Sequence, residues 1–232
     1  MNNTNKPPRT VTTEELNKIL KDHHLWLESD GKSGQCADLS GADLSDAILS
    51  GADLSGADLS GANLSHTILK GAGLSRALLS GANLRNADLS DAILSDAILL
   101  GADLSDAILK GAIFSGAILR NANLSHTILK GAGLSRADLR GAGLSRADLR
   151  GANLRGAMVS APWKVVDGQL MREENATNVP APTSSIAVPV TDHATAINSN
   201  SFLNNYVGIH NAFLNLSAEE RKQVIAALNE LV

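Results

Sequence analysis

A leucine recurs every five residues through the middle of this chain, and this spacing restricts the fold more than any other feature. The stretch GADLSGADLSGANLS has its leucines at Leu54, Leu59 and Leu64. Five residues advance an α-helix by about 500°, so these leucines would form no apolar stripe on a helix. In a flat strand, an odd spacing places successive leucines on opposite faces. The repeat therefore requires a backbone that turns within each unit.

The five-residue frame runs without an insertion from Ala37 to Val159. Its third position is leucine except at Phe114 and Val159, and its first position is alanine except at Thr67 and Thr127. On a locally extended backbone, two residues that lie two positions apart point to the same side. Each unit ends mostly in Gly, Asp, Asn, His or Arg, and glycine in particular tolerates a sharp bend. This repetition predicts a solenoid whose leucines and alanines face a common axis.

The units ADLSG and ANLSH resemble the pentapeptide-repeat family, whose pattern is A(D/N)LxX, over residues 37–161. The resemblance implies an all-β solenoid, a right-handed four-sided (quadrilateral) β-helix with one unit per side and twenty residues per coil. The chain would then form about six coils, and the strand spacing would make a rod roughly 30 Å long. The segment LSHTILKGAGLSRA occurs at 64–77 and again at 124–137, an offset of three such coils.

The segment before the repeat predicts a cap for the first coil. Residues 1–10 are expected to be disordered, and residues 11–36 to form a short N-terminal capping helix and loop. Thr12 and Glu15 make a capping box at the start of a helical apolar pattern. An open solenoid has unpaired strand edges, which such a cap covers.

The segment after the repeat predicts a linker followed by a helical tail. Residues 162–198 would seal the last coil and continue as a Pro/Ser/Thr-rich linker. Residues 199–232 have the spacing of two short amphipathic helices, which are too small to form an independent core. We therefore expect them to dock on another surface or to form a homodimer. The contact residues predicted for the second helix are Val224, Ile225, Leu228 and Leu231.

The residues that precede each leucine predict the outer surface of the rod. Sorted at twenty-residue steps, they fall into four columns, and eight of them are isoleucine where the family usually has Asp or Asn. Monomers seldom leave large apolar patches exposed, so a partner or a second copy could bind where these residues cluster. Alternatively, the isoleucines stack only on the next coil, or the chain's own tail covers them. The predicted cluster at mid-rod is Leu78, Ile93, Ile98, Leu100, Ile113 and Ile118.

Charge is distributed unevenly along the predicted rod. Ala37 to Ile98 contains eight Asp and three basic residues, whereas Leu99 to Ser160 contains four Asp and eight basic residues. These charged residues could serve only to keep the surface solvated. Alternatively, the opposite charges of the two ends could attract rods head to tail. The net charge of −4 gives no bulk attraction to nucleic acid or to an anionic membrane, so we expect neither as a direct partner.

The sequence contains no recognisable catalytic, cofactor-binding or metal-binding pattern, so we expect no enzymatic activity, no cofactor and no metal. His66 and His126 would share a column but lie three coils apart, roughly 14 Å, which is too far to bind one metal ion. Cys36 opens the first coil and is interpreted as a packing residue. The polar N-terminus and the lack of an 18-residue apolar run predict a bacterial cytoplasmic protein.

Two functions remain open on the sequence. The first is a non-enzymatic interaction or scaffold protein that presents a rigid rod and a docking tail. The second follows from the resemblance, because some pentapeptide-repeat proteins are DNA-mimicking dimers that bind type II topoisomerases and confer quinolone resistance. DNA gyrase would then be the partner. The basic second half departs from the charge that DNA mimicry needs, so the scaffold is preferred.

Overall fold

The structure is a computed structural model, and it describes residues 9–172. The chain divides into two compact units, Met1–Val179 and Pro180–Val232, and all described residues belong to the first unit. The elements in chain order are β1 (Arg9–Thr10), α1 (Thr13–Glu28), β2 (Ala42–Asp43), β3 (Trp163–Val166) and β4 (Gln169–Arg172). Strand β1 pairs with β2 in parallel, and β3 pairs with β4 as an antiparallel hairpin.

The repeat winds into a stack of coils whose backbones pair in parallel at an offset of twenty residues. Asp38 pairs with Asp58, Asp58 pairs with Leu78, and the same offset continues to Met158. The Leu59 N–H donates to the Leu78 carbonyl at 2.7 Å, and the Leu78 N–H donates to the Ala57 carbonyl at 2.9 Å. The repeat therefore folds as a β-helix.

Four five-residue units separate two paired residues, so the side chains before the leucines form four columns. Column 1 runs from Asp38 to Met158, column 2 from Asp43 to Gly143, column 3 from Ile48 to Asp148 and column 4 from Asp53 to Asn153. Each residue of column 4 is followed five positions later by a residue of column 1, so these two columns lie on successive units.

The leucines and alanines of the repeat fill the inside of the stack. Every third-position leucine from Leu54 to Leu109 is 0% exposed, and Phe114 occupies the same position equally buried. The hydroxyls of the inward Thr67 and Thr127 donate to backbone carbonyls at 2.9 and 2.7 Å, so these polar groups are satisfied. Each buried leucine contributes about 1.5–3 kcal/mol to stability. The prediction that these side chains face a common axis is confirmed.

The last residue of each unit turns the chain in the left-handed backbone region. Gly101 has a φ of 62°, and Asp91 and His66 adopt 58° and 60° at the same position. This region costs an L-residue roughly 1–2 kcal/mol, which glycine avoids. At Asp91 the N–H donates to the Lys110 carbonyl of the next coil at 2.9 Å, which helps to offset that cost.

The Asp and Asn residues of column 2 accept hydrogen bonds from their own unit, and their side chains also bond from one coil to the next. The Asp43 Oδ1 accepts from the Ser45 hydroxyl at 2.8 Å, the Ser45 N–H at 3.2 Å and the Asn63 side-chain amide at 2.9 Å. The bonds from Ser45, with a smaller contribution from Asn63, hold the pKa of Asp43 below its usual value. Column 2 is therefore a polar ladder.

Helix α1 packs at the start of the stack. The Thr12 side chain accepts from the Glu15 N–H at 3.1 Å, which is one half of the predicted capping box. The Glu15 carboxylate accepts from the Arg9 guanidinium at 2.9 Å. Leu16, Ile19 and Leu20 of α1 pack against the buried core.

The N-terminal boundary differs from the sequence-based expectation, in which residues 1–10 are disordered. Arg9–Thr10 form β1, because they extend the parallel pairing to β2 and the Arg9 N–H donates to the Gly41 carbonyl at 3.2 Å. The Arg9 guanidinium also donates to the Asp38 carbonyl and to the Glu15 carboxylate, each at 2.9 Å.

The β3–β4 hairpin lies directly against the last coil. Val165 and Leu170 pack against the core, and the Leu154 N–H donates to the Gly168 carbonyl of the hairpin turn at 3.2 Å. Within residues 9–172, no helix is both long enough and apolar enough to span a membrane.

Candidate protein-interaction site

The structure places five of the six predicted mid-rod residues on two successive columns, and Leu100 lies two residues after Ile98 in the same unit. Leu78, Ile98 and Ile118 pair in sequence along column 1, and Ile93 pairs with Ile113 along column 4. Ile93 and Ile113 are 43% and 42% exposed, whereas the other members are half-buried. We call this set the mid-stack patch: Leu78, Ile93, Ile98, Leu100, Ile113 and Ile118. Its role in binding a partner stays a prediction.

The mid-stack patch lies midway along the stack. Ile98 is the central residue of column 1, with three paired levels before it, from Asp38, and three after it, to Met158. The apolar part of the column spans one level on either side of Ile98. The patch is therefore flanked by Asp58 and Asp138 in column 1 and by Gly73 and Gly133 in column 4.

A second set of exposed isoleucines lies on column 3, which the sequence interpretation did not assign to a site. Asp88 interrupts it and Asp148 ends it, and Lys70, Lys110 and Lys130 lie beside it on the exposed surface. Its members form two separate pairs, and stacking between adjacent coils accounts for each pair. They are Ile48, Ile68, Ile108 and Ile128, which are 76%, 40%, 38% and 42% exposed.

Charged residues flank the mid-stack patch with opposite signs. Before it, the charged residues of columns 1 and 4 are aspartates, although column 4 also contains Gly73; at its far end and beyond, the units of these columns contain arginines together with Asp138. The sequence analysis gave this charge imbalance along the chain but did not assign it to one side of the stack. The side becomes clear when the fourth and fifth residues of the units are also sorted at twenty-residue steps. The aspartates are Asp38, Asp53 and Asp58, and the arginines are Arg120, Arg136, Arg140 and Arg155.

One of these arginines neutralises a buried carboxylate. The Arg140 guanidinium binds Asp138 through Nε at 2.8 Å and Nη2 at 2.7 Å, and Asp138 is only 2% exposed. The hydrogen bonds to Asp138 raise the pKa of Arg140. Within residues 9–172, Arg120, Arg136 and Arg155 form no ion pair, so the basic half keeps unpaired positive charge.

The predicted contact residues of the tail, Val224, Ile225, Leu228 and Leu231, lie outside the described residues. Their role in docking or in a homodimer therefore stays a prediction.

His23 has a structural role at the junction between α1 and the first coil. Its side chain is 0% exposed, stacks on Trp26 with ring centroids 5.6 Å apart, and accepts from the Ala37 N–H at 3.1 Å through Nδ1. Burial is the largest effect on its pKa and lowers it, against smaller opposing effects of Asp53 and Ser55. The neutral imidazole is the form that can accept this bond.

Cys36 is a half-buried free thiol whose surroundings disfavour its thiolate form. Its Sγ donates to the Gly56 carbonyl at 3.4 Å. Burial, followed by the charges of Asp58 and Asp38, raises the pKa of Cys36 to about 12. Among the described residues, no group of three or more His, Cys, Asp or Glu side chains is arranged to bind a metal ion.

We expect Cys36 in the folded protein to react with a thiol-disulfide reagent at pH 8 at least about a hundredfold more slowly than in denaturant. The reason is that the thiolate is the reactive species and burial suppresses it. The release of the reagent's chromophore measures both rates, and the denatured sample is the control. Equal rates in the two samples would contradict the buried position of the thiol.

This chain is similar to several solved proteins, of which three are described. HetL from the cyanobacterium Nostoc sp. strain PCC 7120, involved in heterocyst differentiation regulation, is 34% identical over 59% of this chain and 73% of its own, with a TM-score of 0.29. QnrB1, a plasmid-mediated fluoroquinolone resistance protein, is 26% identical over 57% and 68%, with a TM-score of 0.36. The alr5209 protein from Nostoc PCC 7120 is 30% identical over 67% and 100%, with a TM-score of 0.20. TM-scores this low support no conclusion about the function of this chain.

No curated protein matches the sequence. The sequence model described as "Pentapeptide repeats" matches residues 37–76, 72–111 and 117–156, with 8 copies. These ranges coincide with the buried leucines and the twenty-residue pairing, and proteins of this kind form right-handed β-helices. The chain belongs to the pentapeptide-repeat family.

Proposed function

We propose that this chain is a non-enzymatic protein-interaction or scaffold protein that binds its partner through the mid-stack patch. Members of the family are generally non-enzymatic, which supports the first part of the proposal. In full, the proposal is a cytoplasmic protein with a right-handed, four-sided stack of about six coils. Helix α1 caps the stack, and the C-terminal helical tail supplies a further docking element.

The observation that carries this proposal is the mid-stack patch, in which Ile93 and Ile113 are exposed and the other members are half-buried. Its two columns lie on successive units of each coil, with the exposed Asp96 in the turn between Ile93 and Ile98, whereas Asp88 separates the column 3 isoleucines into two pairs. A soluble protein seldom leaves such a patch exposed without a partner. Backbone pairing to the coils above and below holds Ile93 and Ile113 in place, so a partner would meet a preformed surface.

The charge distribution weighs against the alternative, a DNA-mimicking gyrase-binding protein of the quinolone-resistance type. A mimic of duplex DNA needs negative charge along its whole length, because the phosphate backbone is continuous. Here the second half contains the unpaired Arg120, Arg136 and Arg155.

Affinity capture from the source cell, using full-length chains, tests the proposal. The Ile93→Glu/Ile113→Glu double variant places two charges in the mid-stack patch. The matched control, Ile68→Glu/Ile128→Glu, changes equally exposed isoleucines of column 3. We expect the wild type and the control to retain the same bound protein and the patch variant to lose it. Retention by the patch variant would refute the proposal, and capture of gyrase with protection from a quinolone in a supercoiling assay would favour the alternative.

A further inference from the structure

We propose that a second copy of this chain docks on the mid-stack patch side by side and antiparallel, with a two-fold axis level with Ile98. This inference rests on the proposed function and names the partner. Two independent features of the described residues coincide at this level. The first is the centre of the apolar patch, and the second is the change in the sign of the charge.

The apolar residues of column 1 are self-complementary about Ile98. A two-fold interface brings the same surface of both copies together, so each residue faces the residue at the mirrored level. Leu78 and Ile118 lie one coil before and one coil after Ile98. In the antiparallel arrangement, Leu78 therefore faces the partner's Ile118, and Ile98 faces the partner's Ile98.

The charges on the same two columns favour the antiparallel orientation. The exposed Asp38 and Asp53 lie two to three coils before Ile98, and the exposed Arg136 and Arg155 lie about two to three coils after it. The acidic end of each copy therefore meets the basic end of the other. A parallel arrangement would place like charges opposite each other, which is unfavourable.

Asp58 and Asp138, which mirror each other in column 1, are buried, and Arg140 neutralises Asp138. The turn between these columns contains two exceptions: Arg76 is the one base in the acidic part, and the exposed Asp96 lies nearly level with the axis, where it faces the partner's Asp96.

End-to-end association, which the sequence left open, is disfavoured by the structure. Helix α1 packs against the first coil, and the β3–β4 hairpin bonds to the last coil. The first and last coils are therefore both covered, so a second copy could not extend the backbone pairing of the stack at either end. The sides remain as the surfaces on which opposite charges can meet.

Column 3 fits a two-fold interface less well than the mid-stack patch does. The midpoint of this column falls between Asp88 and Ile108. An antiparallel copy on this side would place each Asp88 carboxylate against the partner's Ile108, and burying a carboxylate against an apolar group is costly. The column 3 isoleucines therefore provide a control surface with the same chemistry and a different geometry.

Light scattering of the full-length protein after size exclusion tests the association. The monomer mass is 24.1 kDa, and we expect the wild type at micromolar concentration to have about twice this mass. Ile93→Glu/Ile113→Glu should give the monomer mass, and Ile68→Glu/Ile128→Glu should retain the doubled mass. Circular dichroism of each variant establishes that the coils are intact. We also expect dissociation of the wild type to increase at high salt, because salt screens the charges at the interface.

Single cysteines in a Cys36→Ser background test the orientation. With Ile98→Cys, the two copies should form an intermolecular disulfide, because this residue lies level with the axis. With Asp53→Cys, they should not, because the two residues lie at opposite ends of an antiparallel pair. Cross-linking through both positions would indicate a parallel pair and overturn the inference.

The remaining outcomes separate this inference from the proposed function. A monomeric wild type overturns the inference, as does a patch variant that keeps the doubled mass, since the C-terminal segment or another surface would then hold the copies together. If the wild type is monomeric and a different captured protein is lost only with the patch variant, the proposed function stands without the antiparallel pair.

Discussion

Leu104→Asp is expected to unfold the coil stack. Leu104 is 0% exposed, and the neighbouring leucines of its column, Leu84 and Leu124, are equally enclosed. An aspartate there would bury a carboxylate without a partner and lose the burial of the leucine, at a cost of about 5 kcal/mol. That is a large part of the stability of a typical domain. Thermal and urea unfolding followed by circular dichroism measure the loss.

The matched control is Ile108→Asp in the next unit of the chain. Ile108 is 38% exposed, and column 3 already contains Asp88 and Asp148. We expect this control to unfold close to the wild type, within about 1 kcal/mol. If Leu104→Asp unfolded at the same temperature as the control, the inward position of the leucine would be wrong.

Gly34→Ala is expected to displace the loop that connects α1 to the first coil. A Cβ at Gly34 would overlap the Asp22 carbonyl oxygen and lie 2.7 Å from the Trp26 backbone nitrogen, both in α1. The φ of Gly34 is also +73°, in the left-handed region. Overlap and backbone strain together cost about 2–5 kcal/mol. Urea unfolding gives the loss of stability, and Trp26 fluorescence reports whether the junction has opened.

Gly41→Ala separates backbone strain from steric overlap. Gly41 has a similar φ of +61°, but a Cβ there would meet no atom within 4 Å. Its expected cost is therefore only the strain of about 1–2 kcal/mol. Equal losses for the two variants would contradict the close packing of the loop on α1.

The inward side of the stack could be predicted from the sequence because a single period governs it. An alanine and a leucine two residues apart point to one side, and the repeat brings this pair back at every unit. Even Phe114 and Thr127, which break the pattern, occupy the inward positions that their place in the unit predicts. The β1 strand could not be predicted, because Arg9 and Thr10 become ordered only by pairing with residues more than thirty positions away.

The mid-stack patch could be located from the sequence, but its exposure could not. The twenty-residue sorting placed Ile98 beside Ile93, yet Ile98 is half-buried and Ile93 is 43% exposed. Exposure depends on the neighbouring side chains of other coils, which the unit pattern does not describe. For the same reason, the sequence places the column 3 isoleucines in one column but does not predict that they are exposed.

Replacing Asp or Asn by isoleucine in the patch has a local cost that favours a functional explanation. Asp103 accepts from both the N–H and the hydroxyl of Ser105, at 3.0 and 2.7 Å. Ile93 and Ile113 offer no such acceptor to the serines that follow them in their own units. An apolar contact with a partner would compensate for these lost bonds.

Disulfide cross-linking within the repeat tests the central claim, the twenty-residue coil, most directly. In a Cys36→Ser background, we expect Asp103→Cys/Asn123→Cys to form an intramolecular disulfide on mild oxidation. These residues pair in adjacent coils, and the strand spacing of about 4.8 Å lies within the range that a disulfide bridges. Ile108→Cys/Asn123→Cys, an offset of fifteen residues, should stay reduced. Cross-linking at fifteen residues and not at twenty would contradict the account.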